Sequence, residues 1–219
     1  MATNTADDQG FESALKETEL GSFLSDNKGL IITLVIGVLI GVLSYGAYVS
    51  MGEKSEKNAA NAYYLYEKST LDNFKKGTLS ATELVGKFEA VGKEFASKNA
   101  IFTSSLMTFD ALFEKKNYKE AQTILSTLSA KNNYQTFLLS LRKAAVLEET
   151  GEVDGAIAEL ELIKATGLKV MEGKVYLDLG RLQLKKGQKD LAKKSFEMVG
   201  KVKAQAIFKS LAQYYLQQM

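Results

Sequence analysis

Cysteine, histidine, tryptophan and proline are all absent from this chain of 219 residues. Without cysteine, the protein has no disulfide framework, no thiolate metal site and no cysteine nucleophile. Without histidine, it has no imidazole to act as general base, proton shuttle or metal ligand. The sequence also contains no nucleotide-binding glycine motif, no serine-nucleophile motif and no calcium-binding loop. We therefore predict a protein that is not an enzyme and that holds no cofactor and no metal.

A strong charge of one sign is lacking as well. Residues 53–219 carry 26 Lys and Arg against 20 Asp and Glu, a net +6, and include the only two arginines, Arg142 and Arg181. Residues 1–28 carry two lysines against six acids. A weak positive charge spread over a whole domain is not the basic footprint of a nucleic-acid-binding protein. We expect neither nucleic acid nor a small-molecule substrate as a partner.

The chain has one long hydrophobic run, residues 29–52, in which 24 residues pass without a charge. As a helix this run is about 36 Å long, enough to cross a hydrocarbon core of about 30 Å. A cleaved signal peptide has a basic start and a shorter apolar run, and neither feature is present. We therefore predict an uncleaved membrane-spanning helix. Lysines flank both ends in nearly equal number, so charge alone does not orient it.

Four small residues of the span share one helical face: Thr33, Gly37, Gly41 and Ser44. Small residues let two helix backbones approach closely in a membrane, so this stripe is a candidate packing face for another helix. Glycine is also frequent in membrane helices for other reasons, so a stripe that faces lipid remains the alternative.

The span divides the chain into an acidic N-terminal segment, residues 1–28, expected to be partly disordered, and a domain-sized remainder. Residues 53–100 are predicted to be connecting helices, the first ending at Gly77 and the second starting at Ser80. The predicted buried face of the first consists of Ala59, Ala62, Tyr63, Tyr66, Thr70 and Phe74.

Residues 101–219 repeat themselves. Ala121, Ala156 and Ala192 are spaced 35 and 36 residues apart, each preceded by a polar turn and followed four residues later by a large apolar residue. A period near 34 with a helix–turn–helix unit and a small residue is typical of tetratricopeptide repeats. Residues 204–219 are predicted to form a terminal capping helix. The fold class predicted is all-α, with a single transmembrane helix followed by a tetratricopeptide-like α-solenoid.

The order of these parts resembles a known family. An acidic segment ending in FLSDNKG, a glycine-spotted span ending in YGAYVSMG and a tyrosine-bearing helix lead into the repeats. This arrangement resembles the YfgM-like proteins, ancillary subunits of the bacterial Sec translocon. The resemblance implies a single-pass protein of the cell inner membrane with a cytoplasmic N-terminus and a periplasmic repeat domain. It also implies two partners, the translocon and a membrane-anchored periplasmic chaperone.

Tetratricopeptide arrays usually bind protein partners through the face made by the first helices of their units. Residues at that face form what we call the first-helix surface, although each apolar member could equally belong to the core. From the first unit it takes Leu106, Asp110, Phe113 and Glu114. From the second it takes Leu138, Leu141, Ala145, Glu148 and Glu149. From the third it takes Lys174, Leu177, Arg181, Leu184 and Lys185.

Two functions fit these features. The first is a membrane-anchored scaffold that binds protein partners of the translocon and periplasmic chaperone network and assists secreted proteins. The alternative is an assembly or tethering scaffold for another membrane complex, with the repeat domain in the cytoplasm.

Overall fold

The computed structural model describes residues 27–95 and 99–219, so the expectation for residues 1–26 lies outside the described part. The described residues form helices joined by short turns, without strands, which confirms the all-α prediction. The helices are α1 Lys28–Tyr66, α2 Asp72–Lys76, α3 Ala81–Phe95, α4 Asn99–Glu114, α5 Tyr118–Ser126, α6 Asn133–Glu149, α7 Val153–Ala165, α8 Glu172–Lys185, α9 Lys189–Lys201 and α10 Ala206–Gln217. A π-helical turn, Glu67–Leu71, joins α1 to α2.

The contacts divide the chain into two units, residues 1–57 and 58–219. The described residues contain one helix long and apolar enough to cross a membrane, and none of its most apolar window is buried. The large side chains of the predicted span, such as Leu34, Ile40 and Leu43, are exposed. An apolar surface of this extent is what a bilayer would cover.

In the second unit, the predicted face of the helix that follows the span is largely confirmed. Ala59, Tyr63, Tyr66 and Phe74 are buried. Ala62 and Thr70 are only half-buried, and the buried residue next to Thr70 is Leu71. The π-helical turn adds one residue between Tyr66 and the next buried position, which rotates the helix face and lets Leu71 enter the core in place of a threonine.

The ends of these connecting helices follow the predicted signals. Gly77 ends α2 in the left-handed conformation, with φ of 80°, which glycine adopts without steric cost. The side chains and backbone amides of Ser80 and Glu83 form a reciprocal capping box at the start of α3. Glu83 accepts from the Ser80 amide at 3.0 Å, and the Glu83 amide donates to the Ser80 hydroxyl at 3.3 Å.

Three helical hairpins form the repeat array: α4 with α5, α6 with α7, and α8 with α9. The aligned alanines Ala121, Ala156 and Ala192 are each fully buried, as the spacing predicts. The large residues four positions later, Leu125, Leu160 and Phe196, are buried as well. Alanine has no side chain beyond Cβ, so the two helices of each hairpin can approach closely at that level.

The three hairpin turns share one backbone geometry, although only two of them contain glycine. Lys116, Gly151 and Gly187 have φ of 61°, 85° and 74°. In each turn the next residue donates its amide to a carbonyl five residues back, and in the first turn Asn117 reaches the Leu112 carbonyl at 2.9 Å. This is the Schellman arrangement, which ends a helix without the closing proline that the sequence lacks.

The third hairpin and the last helix show how tightly the array packs. A Cβ placed on Gly180 of α8 would lie 2.5 Å from the Phe196 ring of α9, so only glycine fits there. The ring of Tyr215 on α10 stacks on the Phe196 ring, with the two centroids 4.9 Å apart and the ring planes 4° from parallel. The predicted capping helix therefore completes the core of the third hairpin.

Candidate protein-binding surface

The first-helix surface is distributed over α4, α6 and α8, as the repeat register requires. Two of its apolar members, Leu106 and Leu177, are only 8% and 6% exposed and belong to the core. The remaining twelve reach the surface fully or in part. Four of them are exposed: Asp110, Glu114, Glu149 and Lys185.

Arginine–carboxylate pairs link consecutive first helices. Arg142 of α6 donates from Nε and Nη2 to the two carboxylate oxygens of Asp110 on α4, at 2.9 and 2.7 Å. One unit later, Arg181 of α8 makes the same two-pronged contact with Glu148 of α6, with Nη2 to Oε2 at 2.7 Å. Two parallel hydrogen bonds between planar groups give an orientation-specific link. Both arginines of the chain are used in this way.

A third carboxylate completes the charged part of the surface. Asp178 of α8 pairs with Lys174 on one side, and its other oxygen lies 3.7 Å from Arg181. Glu148, Arg181, Asp178 and Lys174 thus form one chain of alternating charge across α6 and α8. Sequence analysis did not select Asp178. The sequence feature that could have identified Asp178 is its spacing, four residues after Lys174 and three before Arg181, which places all three residues on one helix face.

This charge chain borders a cavity of about 140 Å³ between α6 and α8. Five residues of the first-helix surface line it together: Leu141, Ala145, Glu148, Lys174 and Arg181. Asp178 joins them at the rim, and Ala144, Leu160 and Leu182 supply further lining. Five apolar and four charged residues thus line the cavity, a combination suited to an apolar side chain that carries a polar or charged neighbour.

The pairs set the electrostatics of the rim. The hydrogen bond from Arg181 lowers the pKa of the Glu148 carboxyl, partial burial opposes this, and Lys185 and Lys174 lower it further. Glu148 in turn raises the pKa of Arg181. The pair is therefore ionised at neutral pH, and each charge of the pair is already matched before any partner binds.

An aromatic cluster lies at the first unit. The Phe113 ring stacks on Phe109 with centroids 5.4 Å apart and contacts Tyr118 at 5.3 Å. Burial raises the pKa of Tyr118, and the neighbouring Glu149 carboxylate raises it further. Phe113 and Glu149, both on the first-helix surface, are thereby brought together through a residue of α5 that sequence analysis missed.

The small-residue stripe of the span lies on α1, in the other unit. The Thr33 hydroxyl donates to the Gly29 carbonyl at 2.8 Å, which satisfies it within the helix. A Cβ added at Gly37 or Gly41 would meet nothing within 4 Å. The face is open, and its packing role stays a prediction.

Among residues 27–95 and 99–219, no group of three or more acidic side chains is placed to hold a metal.

Stacked helical hairpins with a small residue at each hairpin contact define a helical-repeat protein. A family model, the tetratricopeptide repeat-like domain, matches residues 22–219. The chain belongs to this family, and the matched range includes the predicted span. No curated protein matches the sequence, and no solved structure matches it.

Glu148→Gln tests the link between α6 and α8. At pH 7 we expect the free energy of unfolding to fall by about 1 kcal/mol, because both side chains of the pair are partly exposed and solvent screens them. The pKa of Glu148 is lower in the folded chain, so its contribution is present above the unfolded pKa and is lost as pH falls through the folded pKa. The difference between wild type and variant, followed by denaturant unfolding, should therefore narrow as the pH falls below about 4.5, the ordinary pKa of glutamate.

Glu197→Gln is the matched control. Glu197 is exposed on α9 and forms no ion pair among the described residues, so its removal should change stability little both at pH 7 and in acid. A loss of stability in Glu148→Gln that is constant down to about pH 3 would contradict the assigned role of the pair.

Proposed function

We propose that this protein is a membrane-anchored scaffold whose repeat domain binds protein partners through the first-helix surface. Tetratricopeptide-like repeats are protein-interaction modules, and the chain belongs to that family over residues 22–219. The observation that carries the proposal is the cavity between α6 and α8, where five predicted surface residues meet in a lining that is partly apolar and partly charged. Repetition of the unit presents such sites along one face.

The anchor in this proposal is the apolar part of α1, residues 29–52. An exposed apolar helix of this length is stable in a bilayer, where its backbone groups are all satisfied internally. Anchoring keeps the repeat domain at the membrane and so raises its effective concentration toward partners held in the same membrane. Thr33, Gly37, Gly41 and Ser44 would add a helix contact to such a partner.

The partner class follows from the resemblance in the order of parts. We propose the Sec translocon and a membrane-anchored periplasmic chaperone as the partners, secreted proteins as the clients, and the cell inner membrane as the location, with the N-terminus in the cytoplasm. The alternative, a scaffold for another membrane complex with a cytoplasmic repeat domain, is supported by the same anchor and repeats. Neither function requires catalysis.

Photocrosslinking tests which surface binds. A photoreactive amino acid at Ala145, which lines the cavity, should form adducts with translocon or chaperone subunits in cells, identified by mass spectrometry. The same amino acid at Ala158, exposed on α7, is the matched control and should not. The same set of adducts from both positions would refute binding through the first-helix surface. Adducts from Ala145 with another membrane complex would favour the alternative.

Reporter fusions after Gln218 test the topology. Alkaline phosphatase folds only in an oxidising compartment, because it needs disulfides, so a periplasmic repeat domain predicts an active phosphatase fusion. A green fluorescent protein fusion at the same position should then be dark. The reverse pattern, a bright fluorescent fusion and an inactive phosphatase, would place the repeat domain in the cytoplasm and contradict the first proposal.

A further inference from the structure

The last helix, α10, packs onto the third hairpin as α8 packs onto the second. Three buried residues of α8 cluster with Leu160 and Ile163 of α7. Three residues of α10 with the same spacing cluster with Phe196 and Val199 of α9. The equivalent residues are Val175 and Phe208, Leu179 and Ala212, and Leu182 and Tyr215. Each pair is 33 residues apart, so α10 stands in the place of the first helix of a fourth unit.

At the same spacing of 33 residues, the positions that hold charged residues of the cavity in α8 hold apolar residues in α10, and these form a stripe along that helix. The corresponding residues are Lys174 and Ile207, Asp178 and Leu211, and Arg181 and Tyr214. Ile207, Leu211 and Tyr214 are 58%, 40% and 57% exposed. The repeat register thus extends the first-helix surface by one helix and changes its chemistry from ionic to apolar. Large apolar side chains at positions i, i+4 and i+7 match the groove contacts of a bound amphipathic helix.

The surroundings of this stripe are strongly basic. Residues 172–219 hold ten Lys and Arg against four Asp and Glu, whereas residues 99–165 hold seven against nine. Among the described residues, seven of the nine lysines in residues 172–219 form no ion pair, since only Lys174 and Lys186 do so. Lys201 ends α9, Lys203 lies in the turn before α10, and Lys209 lies on α10. Lys201 and Lys203 therefore precede the stripe directly in sequence, whereas Lys209, two residues after Ile207, lies on the opposite side of α10.

The charge decides between two occupants of the stripe. A symmetric contact between two copies through α10 would bring two copies of residues 172–219, each of net charge +6, together, which like-charge repulsion opposes. A segment with apolar residues on one helix face and carboxylates beside them would satisfy both features. We propose that the stripe Ile207, Leu211 and Tyr214 binds an acidic amphipathic helix of a partner protein, whose carboxylates face the unpaired Lys201 and Lys203 before α10. This inference rests on the proposed function and names the chemistry of the partner.

A designed peptide is the probe. It has about 18 residues, with leucines along one helix face and glutamates elsewhere, and its control carries lysines in place of the glutamates. With the full chain in an uncharged detergent, fluorescence anisotropy should show the acidic peptide binding at least about tenfold more tightly than the basic one. Raising the salt concentration should weaken the acidic complex, because it screens the lysines.

Two matched double variants locate the site on α10. Ile207→Glu with Leu211→Glu removes apolar contact and adds two negative charges, so affinity for the acidic peptide should fall at least about tenfold. Gln213→Glu with Gln217→Glu adds the same charge at exposed positions outside the stripe and should change affinity less than about twofold. Thermal unfolding by circular dichroism should show both variants folded.

Several outcomes would overturn the inference. Equal affinity for the acidic and basic peptides would do so, as would equal losses in the two double variants. If sedimentation shows that the wild type is a dimer and the Ile207→Glu, Leu211→Glu variant a monomer, the stripe binds a second copy of the chain. Hydrogen-exchange protection of α10 that depends on phosphatidylglycerol in nanodiscs, without peptide, would assign it to the membrane surface. If crosslinks from Ala145 persist while the peptide fails to bind, this inference alone falls; if they too are absent, the proposed function falls.

Discussion

The close approach of the two helices in each hairpin is the contact on which the rest of the repeat domain depends. Fully buried alanines at Ala121, Ala156 and Ala192 permit it, and Gly180 against Phe196 brings α8 and α9 closer still. Interiors packed at crystal density tolerate little change of volume at such contacts. Because each hairpin is fixed in this way, its first helix presents one defined face, and every residue assigned to the binding surface follows from that register.

Links between units then turn separate hairpins into one surface. The pairs Arg142 with Asp110 and Arg181 with Glu148 join α4 to α6 and α6 to α8. Since these charges are already matched, they orient the helices and shape the rim of the cavity more than they attract a charged ligand. Attraction has to come from unmatched features, and the apolar stripe and free lysines near α10 are the clearest of these. In the proposed function, the apolar part of α1 keeps this surface at the membrane.

Signals that are local or strictly periodic made most of the fold predictable: the alanine spacing, the apolar run and the Ser80 capping box. Features that depend on contacts between distant segments were not. The π-helical turn that replaces Thr70 by Leu71 in the core follows from packing, which a uniform helical period cannot show. The burial of Leu177 and the pairing of Asp178 likewise depend on which neighbour each helix face meets. Sequence analysis thus placed the residues of the first-helix surface on the first helices without showing which of them are buried or paired, and their role in binding stays a prediction.

The register of the repeats is the central claim, and the melting of two alanine variants tests it most directly. Ala156 is fully buried between α6 and α7, whereas Ala158, two residues later, is exposed. Ala156→Leu should overpack the hairpin and lower the free energy of unfolding by about 1–3 kcal/mol. Ala158→Leu should change it by less than about 0.5 kcal/mol. Equal melting shifts in the two variants would contradict the register, and with it the residues assigned to the first-helix surface.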